Sequence, residues 1–211
     1  MIAVIDYDAG NIRSVLNAMA SMGQEAVLTS DKKTILSADR IILPGVGAFG
    51  DAMGRLRERG LVDLIRQAAG EGIPFLGICL GLQLLFESSE ESPGVEGLGL
   101  LQGTVKKFPK EENGRTYKVP EIGWNDLSYP TPGRLFAGVP EHSYVYFVHS
   151  YYAHATDRSI AKAVSTYAGV TFDASVERGN VFACQFHPEK SGSVGRIILE
   201  NFLAVTGGAA C

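Results

Sequence analysis

Cysteine is scarce: 211 residues hold three, at positions 79, 184 and 211, and no two stand in a C-x-x-C pair. An odd and widely spaced set builds neither a paired disulfide framework nor a zinc site, so each is expected as a free thiol. Long apolar runs are missing as well. None reaches the roughly 20 residues of a membrane helix, and Met1 to Asp6 lacks the basic flank and cleavage site of a secretory leader. A cytoplasmic protein without a membrane partner is the expectation. Basic clusters are also absent; with 19 Lys and Arg against 23 Asp and Glu the formal charge is −4, which gives a phosphate backbone nothing to hold, so no nucleic acid is expected as a partner. The four histidines, at 142, 149, 154 and 187, match no common ligand spacing, and neither a metal nor another cofactor is expected. No repeat, low-complexity segment or linker interrupts the chain, so residues 1–211 are read as one domain.

What is present is an alternation. Met1-Ile2-Ala3-Val4-Ile5 is a short apolar run bounded by Asp6, as in a buried strand, and Val15, Met19 and Met22 follow at helical spacing. Strands near Ala26-Leu28, Ile41-Leu43 and Ile73-Ile78 alternate with helical patterns near Gly50-Arg59 and Leu61-Glu71. Such a series predicts an α/β fold whose central sheet is mostly parallel and flanked by helices. After about residue 95 the runs shorten: Val105-Phe108, Val145-His149, Ala161-Thr166, Val170-Phe172 and Val181-Phe186. These read as antiparallel additions in the C-terminal half, joined by turns such as Arg178-Gly179-Asn180. Ile197-Leu203 pairs Ile198 with Phe202 and Leu199 with Leu203 at i,i+4, a helix packed on the sheet.

The densest signal is Pro74-Phe75-Leu76-Gly77-Ile78-Cys79-Leu80-Gly81-Leu82-Gln83-Leu84-Leu85-Phe86. An apolar strand runs straight into an apolar helix with a cysteine at the join, G-x-C-x-G. A nucleophile held on so sharp a turn needs small residues on both sides, because side chains at 77 and 81 would collide across strand and helix. The thiol then sits near the positive end of a helix, which favours the reactive thiolate, and the Leu80 N–H is placed to stabilise an oxyanion. A buried apolar filler is the other role a free cysteine takes. A nucleophilic cysteine also needs a base held by a third group. His187 ends the run Val181-Phe186, at the strand end where parallel α/β sheets place their sites, and Glu189 is two residues on, close enough to fix the imidazole tautomer. His149 is the rival base.

Gly77-Ile78-Cys79-Leu80-Gly81-Leu82-Gln83 together with His187-Pro188-Glu189 resembles the class I, or triad, glutamine amidotransferases. Pro44-Gly45-Val46-Gly47-Ala48-Phe49, Gly123-Trp124-Asn125, Tyr146-Phe147-Val148-His149-Ser150-Tyr151 and His187-Pro188-Glu189-Lys190-Ser191 are similar, within that class, to the glutaminase subunit of imidazole glycerol phosphate synthase. The resemblance spans essentially the whole chain and implies a flavodoxin-like amidotransferase fold. It also implies hydrolysis of glutamine by a Cys79, His187, Glu189 triad. The ammonia would pass to a separate (β/α)8-barrel cyclase, which makes imidazole glycerol phosphate and the aminoimidazole carboxamide ribotide of histidine biosynthesis.

The same resemblance assigns the oxyanion hole to Leu80 and to Gly45 and Val46, in a loop able to turn a peptide plane. Gly47, Gln83, Glu91 and groups of His149, Ser150 and Tyr151 would bind substrate, and Asn11, Trp124, Tyr146 and Lys190 would face the cyclase. An isolated subunit with little activity, woken by a ligand-bearing partner, is expected from the switchable peptide. Two positions depart from the family: Asp8, where glycine is usual, and Glu121, where many relatives carry histidine. The competing readings are a triad glutaminase serving another pathway, such as anthranilate or GMP synthesis, and a non-catalytic regulator with Cys79 as a redox sensor. The Pro44-Phe49 and Gly123-Asn125 segments argue against the first. His187 and Glu189 together argue against the second, because a sensor thiol needs no such pair.

Overall fold

The structure, a computed structural model, describes residues 1–8, 10, 12–112 and 114–207. Strands β1 (Ile2–Ile5), β2 (Ala26–Thr29), β3 (Arg40–Leu43) and β4 (Phe75–Ile78) are interleaved with helices α1 (Ile12–Ser21), α2 (Lys32–Leu36), α3 (Phe49–Glu58) and α4 (Leu61–Gly70). Helix α5 (Leu80–Leu84) follows β4 after one residue, Cys79. Then come β5 (Ser88–Ser89), β6 (Gly103–Lys107), β7 (Glu111–Glu112), β8 (Arg115–Thr116), β9 (Glu121–Asp126), β10 (Tyr144–His149) and β11 (Tyr151–Ala155). The chain continues through β12 (Ala161–Tyr167), β13 (Val170–Arg178) and β14 (Val181–Cys184) to α6 (Gly192–Ala204). Helix α2 is short and without a long apolar stripe; the Asp31 carboxylate starts it by accepting the Thr34 N–H at 2.9 Å.

Seven strands form one sheet in the order β12-β13-β14-β4-β3-β1-β2. Five of them, β14, β4, β3, β1 and β2, run parallel, while β12 and β13 are antiparallel. The sheet is thus mostly parallel with antiparallel additions late in the chain. One detail differs from the sequence reading: β14 is antiparallel to β13 but parallel to β4, and it stops at Cys184. Alternation along each buried strand divides the core. Ala3, Ile5, Ile41, Leu43 and Phe75 pack with α3 and α4 on one face, and Ile2, Val4, Ile42, Leu76 and Ile78 pack with α1 and α6 on the other. In α6 the inward residues are Ile198, Leu199 and Phe202. Among the described residues no helix is long and apolar enough to cross a membrane.

Because the parallel strands point the same way, the ends of β1, β3, β4 and β14 meet at one edge of the sheet. There the backbone crowds. A Cβ on Gly77 would stand 2.8 Å from the Gly81 carbonyl oxygen, and one on Gly81 would land on the carbonyl oxygen of Leu43 in β3. Both obstacles are main chain and cannot swing aside. The Gly81→Ala variant is therefore expected to lose about 3 kcal/mol or more of stability, read from the midpoint of urea unfolding; a loss under about 1 kcal/mol would show that α5 shifts freely on β3.

Candidate active site

Cys79 is the hinge between β4 and α5, with φ 55° and ψ −110°. Positive φ is costly for a residue with a side chain, and the neighbouring structure imposes it: the Cys79 N–H is held by Cys184 O at 2.8 Å, and its carbonyl accepts from Leu82 and Gln83 N–H. The thiol is buried and opens on a pocket of about 280 Å³ lined by Val46, Gly47, Cys79, Leu80, Gln83, Glu91, His149, Ser150 and Tyr151, with Pro120 and Val148. The residues that the resemblance assigned to oxyanion stabilisation and substrate binding are thus brought to one cavity, except Gly45, which lies immediately behind it.

His187 follows β14 and is 1% exposed. Its Nδ1 is 2.8 Å from Glu189 Oε1. The backbone locks the ring from behind: His187 N–H donates to Tyr146 O at 2.9 Å, and the Ser191 hydroxyl donates to His187 O at 2.6 Å while accepting Tyr146 N–H at 3.0 Å. Nε2 is buried without a hydrogen bond of ordinary geometry, and Cys79 is close enough to act on the ring. Burial by itself disfavours the imidazolium. The contact with Cys79 and the hydrogen bond and charge of Glu189 outweigh it and raise the His187 pKa to about 9. A raised value means that the native state binds the proton more tightly than an unfolded imidazole of 6.5 would. The resulting stabilisation is complete below about pH 6.5 and is lost as pH rises through 9.

The rival base, His149, lines the same pocket but has other partners. His149 Nδ1 is 2.8 Å from Tyr151 O and its Nε2 is 3.0 Å from Glu121 Oε2, both side chains being buried. Its ring is enclosed by Phe108, Phe147 and Phe172 at centroid distances of 5.2, 5.5 and 5.2 Å. Nδ1 is committed to the Tyr151 carbonyl, and Nε2 faces the Glu121 carboxylate without a hydrogen bond of ordinary geometry. Glu121, one of the two departures, is thereby explained as the charge partner of His149, held in turn by Asn125 Nδ2 at 2.9 Å. Asp8, the other, has φ 62°, the left-handed backbone for which glycine is usual; Arg55 donates to its carbonyl at 2.5 Å and Arg59 pairs with its carboxylate.

Gln83 donates both amide hydrogens, to Tyr151 O at 2.9 Å and to Gln185 Oε1 at 3.0 Å. The Ser150 carbonyl is likewise committed, to Phe108 N–H at 3.1 Å. Glu91 is no idle surface charge: its Oε2 accepts the Phe49 N–H at 2.7 Å, at the positive end of α3. The Gly45–Val46 loop lies against the elbow: Gly45 O accepts the Leu80 N–H at 3.3 Å, which commits that N–H. Only Gly47 of the two loop glycines has positive φ, 104°. Gly45 is required for space, since a Cβ there would meet the Tyr7 hydroxyl and come within 3.0 Å of Leu80 Cβ. Tyr7, buried, donates its hydroxyl to Pro44 O at 2.8 Å.

Of the expected partner-facing residues, Asn11 lies outside the described residues, as does Cys211. Trp124 and Tyr146 are cross-strand partners on the β9–β10 ribbon, ring centroids 6.0 Å apart, and Trp124 is 55% exposed. Ile122 and Tyr144 are exposed beside them, and Lys190 is exposed just past the His187 turn. Sequence reasoning missed Gln185, which is fully buried, and Tyr7, the neighbour of Asp8.

A cysteine at positive φ at a β-strand to helix corner of a mostly parallel sheet, with an imidazole–carboxylate pair at the neighbouring strand end, has the geometry of the elbow-type enzymes. Residues 3–205 match the family "Glutamine amidotransferase class-I". Proteins named imidazole glycerol phosphate synthase subunit HisH are similar over nearly full length. That of Bacillus cereus (strain G9842) is 50% identical across 97% of this chain and 95% of its own, that of Geobacillus kaustophilus (strain HTA426) 50% across 99% and 98%, and that of Moorella thermoacetica 48% across 95% and 93%. A chain from the structure of PurLQS from Thermotoga maritima shares the fold at TM-score 0.75 and 22% identity, covering 96% of each chain. The chain belongs to the class I glutamine amidotransferases, and within them to the HisH subunits of imidazole glycerol phosphate synthase.

Proposed function

We propose that this chain, as one domain working in the cytoplasm, hydrolyses glutamine with Cys79, His187 and Glu189. The ammonia is handed to a cyclase subunit of (β/α)8-barrel type, yielding imidazole glycerol phosphate and aminoimidazole carboxamide ribotide in histidine biosynthesis. The observation that carries this reading is the buried His187–Glu189 pair, 2.8 Å apart, set against a cysteine forced to φ 55° at the mouth of a substrate-sized pocket.

In this reading the Cys79 thiolate attacks the side-chain amide carbon of glutamine, and the imidazolium of His187 gives its proton to the departing ammonia. A glutamyl thioester remains, and water activated by the now neutral His187 releases glutamate. Gln83, both of whose hydrogens are committed, offers the pocket an acceptor alone, which suits the substrate's α-ammonium; Glu91 supplies negative charge beside it. Turning the 45–46 peptide plane withdraws the Gly45 carbonyl from Leu80 and brings the Val46 N–H in, giving the oxyanion two donors. Trp124, Tyr146 and Lys190 form the face presented to the cyclase.

The test is glutamine-dependent against ammonium-dependent formation of imidazole glycerol phosphate by the chain mixed with a cyclase subunit. Glutamine should support the reaction only when Cys79 is intact, whereas ammonium salts should support it regardless. Formation from glutamine by the partner alone would reject the assignment.

Departure of ammonia needs the imidazolium, so activity should fall on the alkaline side with a midpoint near 9, where His187 loses its proton. In Glu189→Gln the anion that holds this proton is gone. The alkaline limb of kcat/KM is expected to move to lower pH by roughly one unit and the plateau to drop by about tenfold or more. An unmoved limb would show that Glu189 does not govern His187.

A further inference from the structure

We propose that the side-chain amide of Gln185 is a further catalytic group, which donates Nε2–H to the Cys79 sulfur and holds it as the attacking thiolate. The inference rests on the assignment of Cys79 as nucleophile. Gln185 is fully buried, and its Nε2 stands 3.7 Å from Cys79 Sγ, a normal length for a nitrogen donor on sulfur.

The two ends of an amide are chemically distinct, and here its orientation is dictated from a distance. Tyr151 O is a carbonyl and can only accept, so the Gln83 amide must turn its NH2 toward it at 2.9 Å. The second hydrogen of that NH2 then points at Gln185, which must answer with its carbonyl oxygen, 3.0 Å away. Gln185 is left with its own NH2 directed at the sulfur. The chain of bonds runs one way and ends on Cys79 as an acceptor, and a thiolate is the stronger acceptor. Reversing the Gln185 amide would set two NH2 groups against each other and a carbonyl oxygen against sulfur.

Other groups act on the same sulfur. His187, backed by Glu189, and Cys184 come from the β14 end, and Tyr7 from the β1 end; each is electrostatically coupled to Cys79. From the β10 end, the Val148 carbonyl is 3.9 Å away, and the Glu121–His149 pair lies beyond it; Glu91 faces the same pocket. None of these is altered by a substitution at 185, so a change in the pH response of Cys79 reports the amide.

The readout is alkylation of the whole chain by iodoacetamide across pH, followed at Cys79 by mass spectrometry. In Gln185→Met, similar in size but without a donor, the half-maximal rate should move up by about one pH unit, so that the rate on the acid side of both midpoints falls about tenfold. At high pH the rates of variant and wild type should converge. Gln185→Leu, also without a donor and uncharged, should move the midpoint the same way and reads the same contact if the methionine variant does not fold. Equal slowing at every pH with an unmoved midpoint, or wild-type behaviour, would overturn the role. The two assignments fail separately: ammonia release surviving in Cys79→Ala removes the nucleophile, whereas an inactive Cys79→Ala alongside an unmoved Gln185→Met midpoint removes only the amide.

Discussion

Cys79→Ala is expected to abolish glutamine-dependent ammonia release, by on the order of 10⁴-fold or more, while leaving binding of glutamine and of the partner subunit within a few-fold of wild type. The size follows from what is removed. Without sulfur there is no thioester, and the remaining route is direct attack of water on an unactivated amide in a pocket where the Leu80 N–H is occupied at rest. The substitution removes one atom, and alanine, like cysteine, can be held at positive φ by the bonds that fix residue 79 to Cys184, Leu82 and Gln83. The fold is therefore expected to persist, and unfolding midpoints of variant and wild type should agree within about 1 kcal/mol. Measured ammonia release at even a hundredth of the wild-type rate would show that another group attacks the amide.

The parts of this site that were legible in the sequence are those whose physics is local. Gly77, Cys79 and Gly81 stand within five residues, and the steric demand that fixes both glycines is created by the corner they make. His187 and Glu189 are two apart, so their 2.8 Å contact needed no knowledge of the sheet. Parallel strands were readable because β1 and β4, and β3 after Arg40, are buried on both faces and hence apolar. Strand β9 was not, for an equally physical reason. It turns Glu121 inward to His149 and Asn125 inward to Glu121, while Ile122 and Trp124 face solvent, the inverse of the usual alternation. The same inversion leaves Ile122 and Trp124 on the outer face of the ribbon, which suits the partner contact proposed for it. Gln185 stayed hidden because its partners, Cys79 and Gln83, are more than a hundred positions away and meet it only once β14 pairs with β4.

Glycines at 45 and 47 announce that a peptide plane can turn, but not which way it rests. In the folded chain it rests with Gly45 O on the Leu80 N–H, and this supports the second large expectation: the isolated chain should hydrolyse glutamine slowly, and the ligand-bearing cyclase should raise kcat by on the order of 10³-fold. Two donors are at stake, and each is worth about 10²–10³ in rate when an oxyanion must form. The thiol, by contrast, already has its base and its place. Alkylation by iodoacetamide forms no oxyanion, so Cys79 in the isolated chain should react readily while amide hydrolysis lags. That split separates a closed hole from a displaced triad. A thiol inert to alkylation would place the block at Cys79 or His187, and rapid turnover of glutamine by the chain alone would show that the peptide turns without help. The route by which a partner could act is short. Tyr146 bears on Trp124 in the exposed ribbon and is bonded through its N–H and carbonyl to Ser191 and His187. Pressure on that ribbon therefore reaches the His187–Glu189 pair through two hydrogen bonds, beside a loop whose Pro44 carbonyl is held by the Tyr7 hydroxyl and whose Gly45 carbonyl rests 3.3 Å from the Leu80 nitrogen.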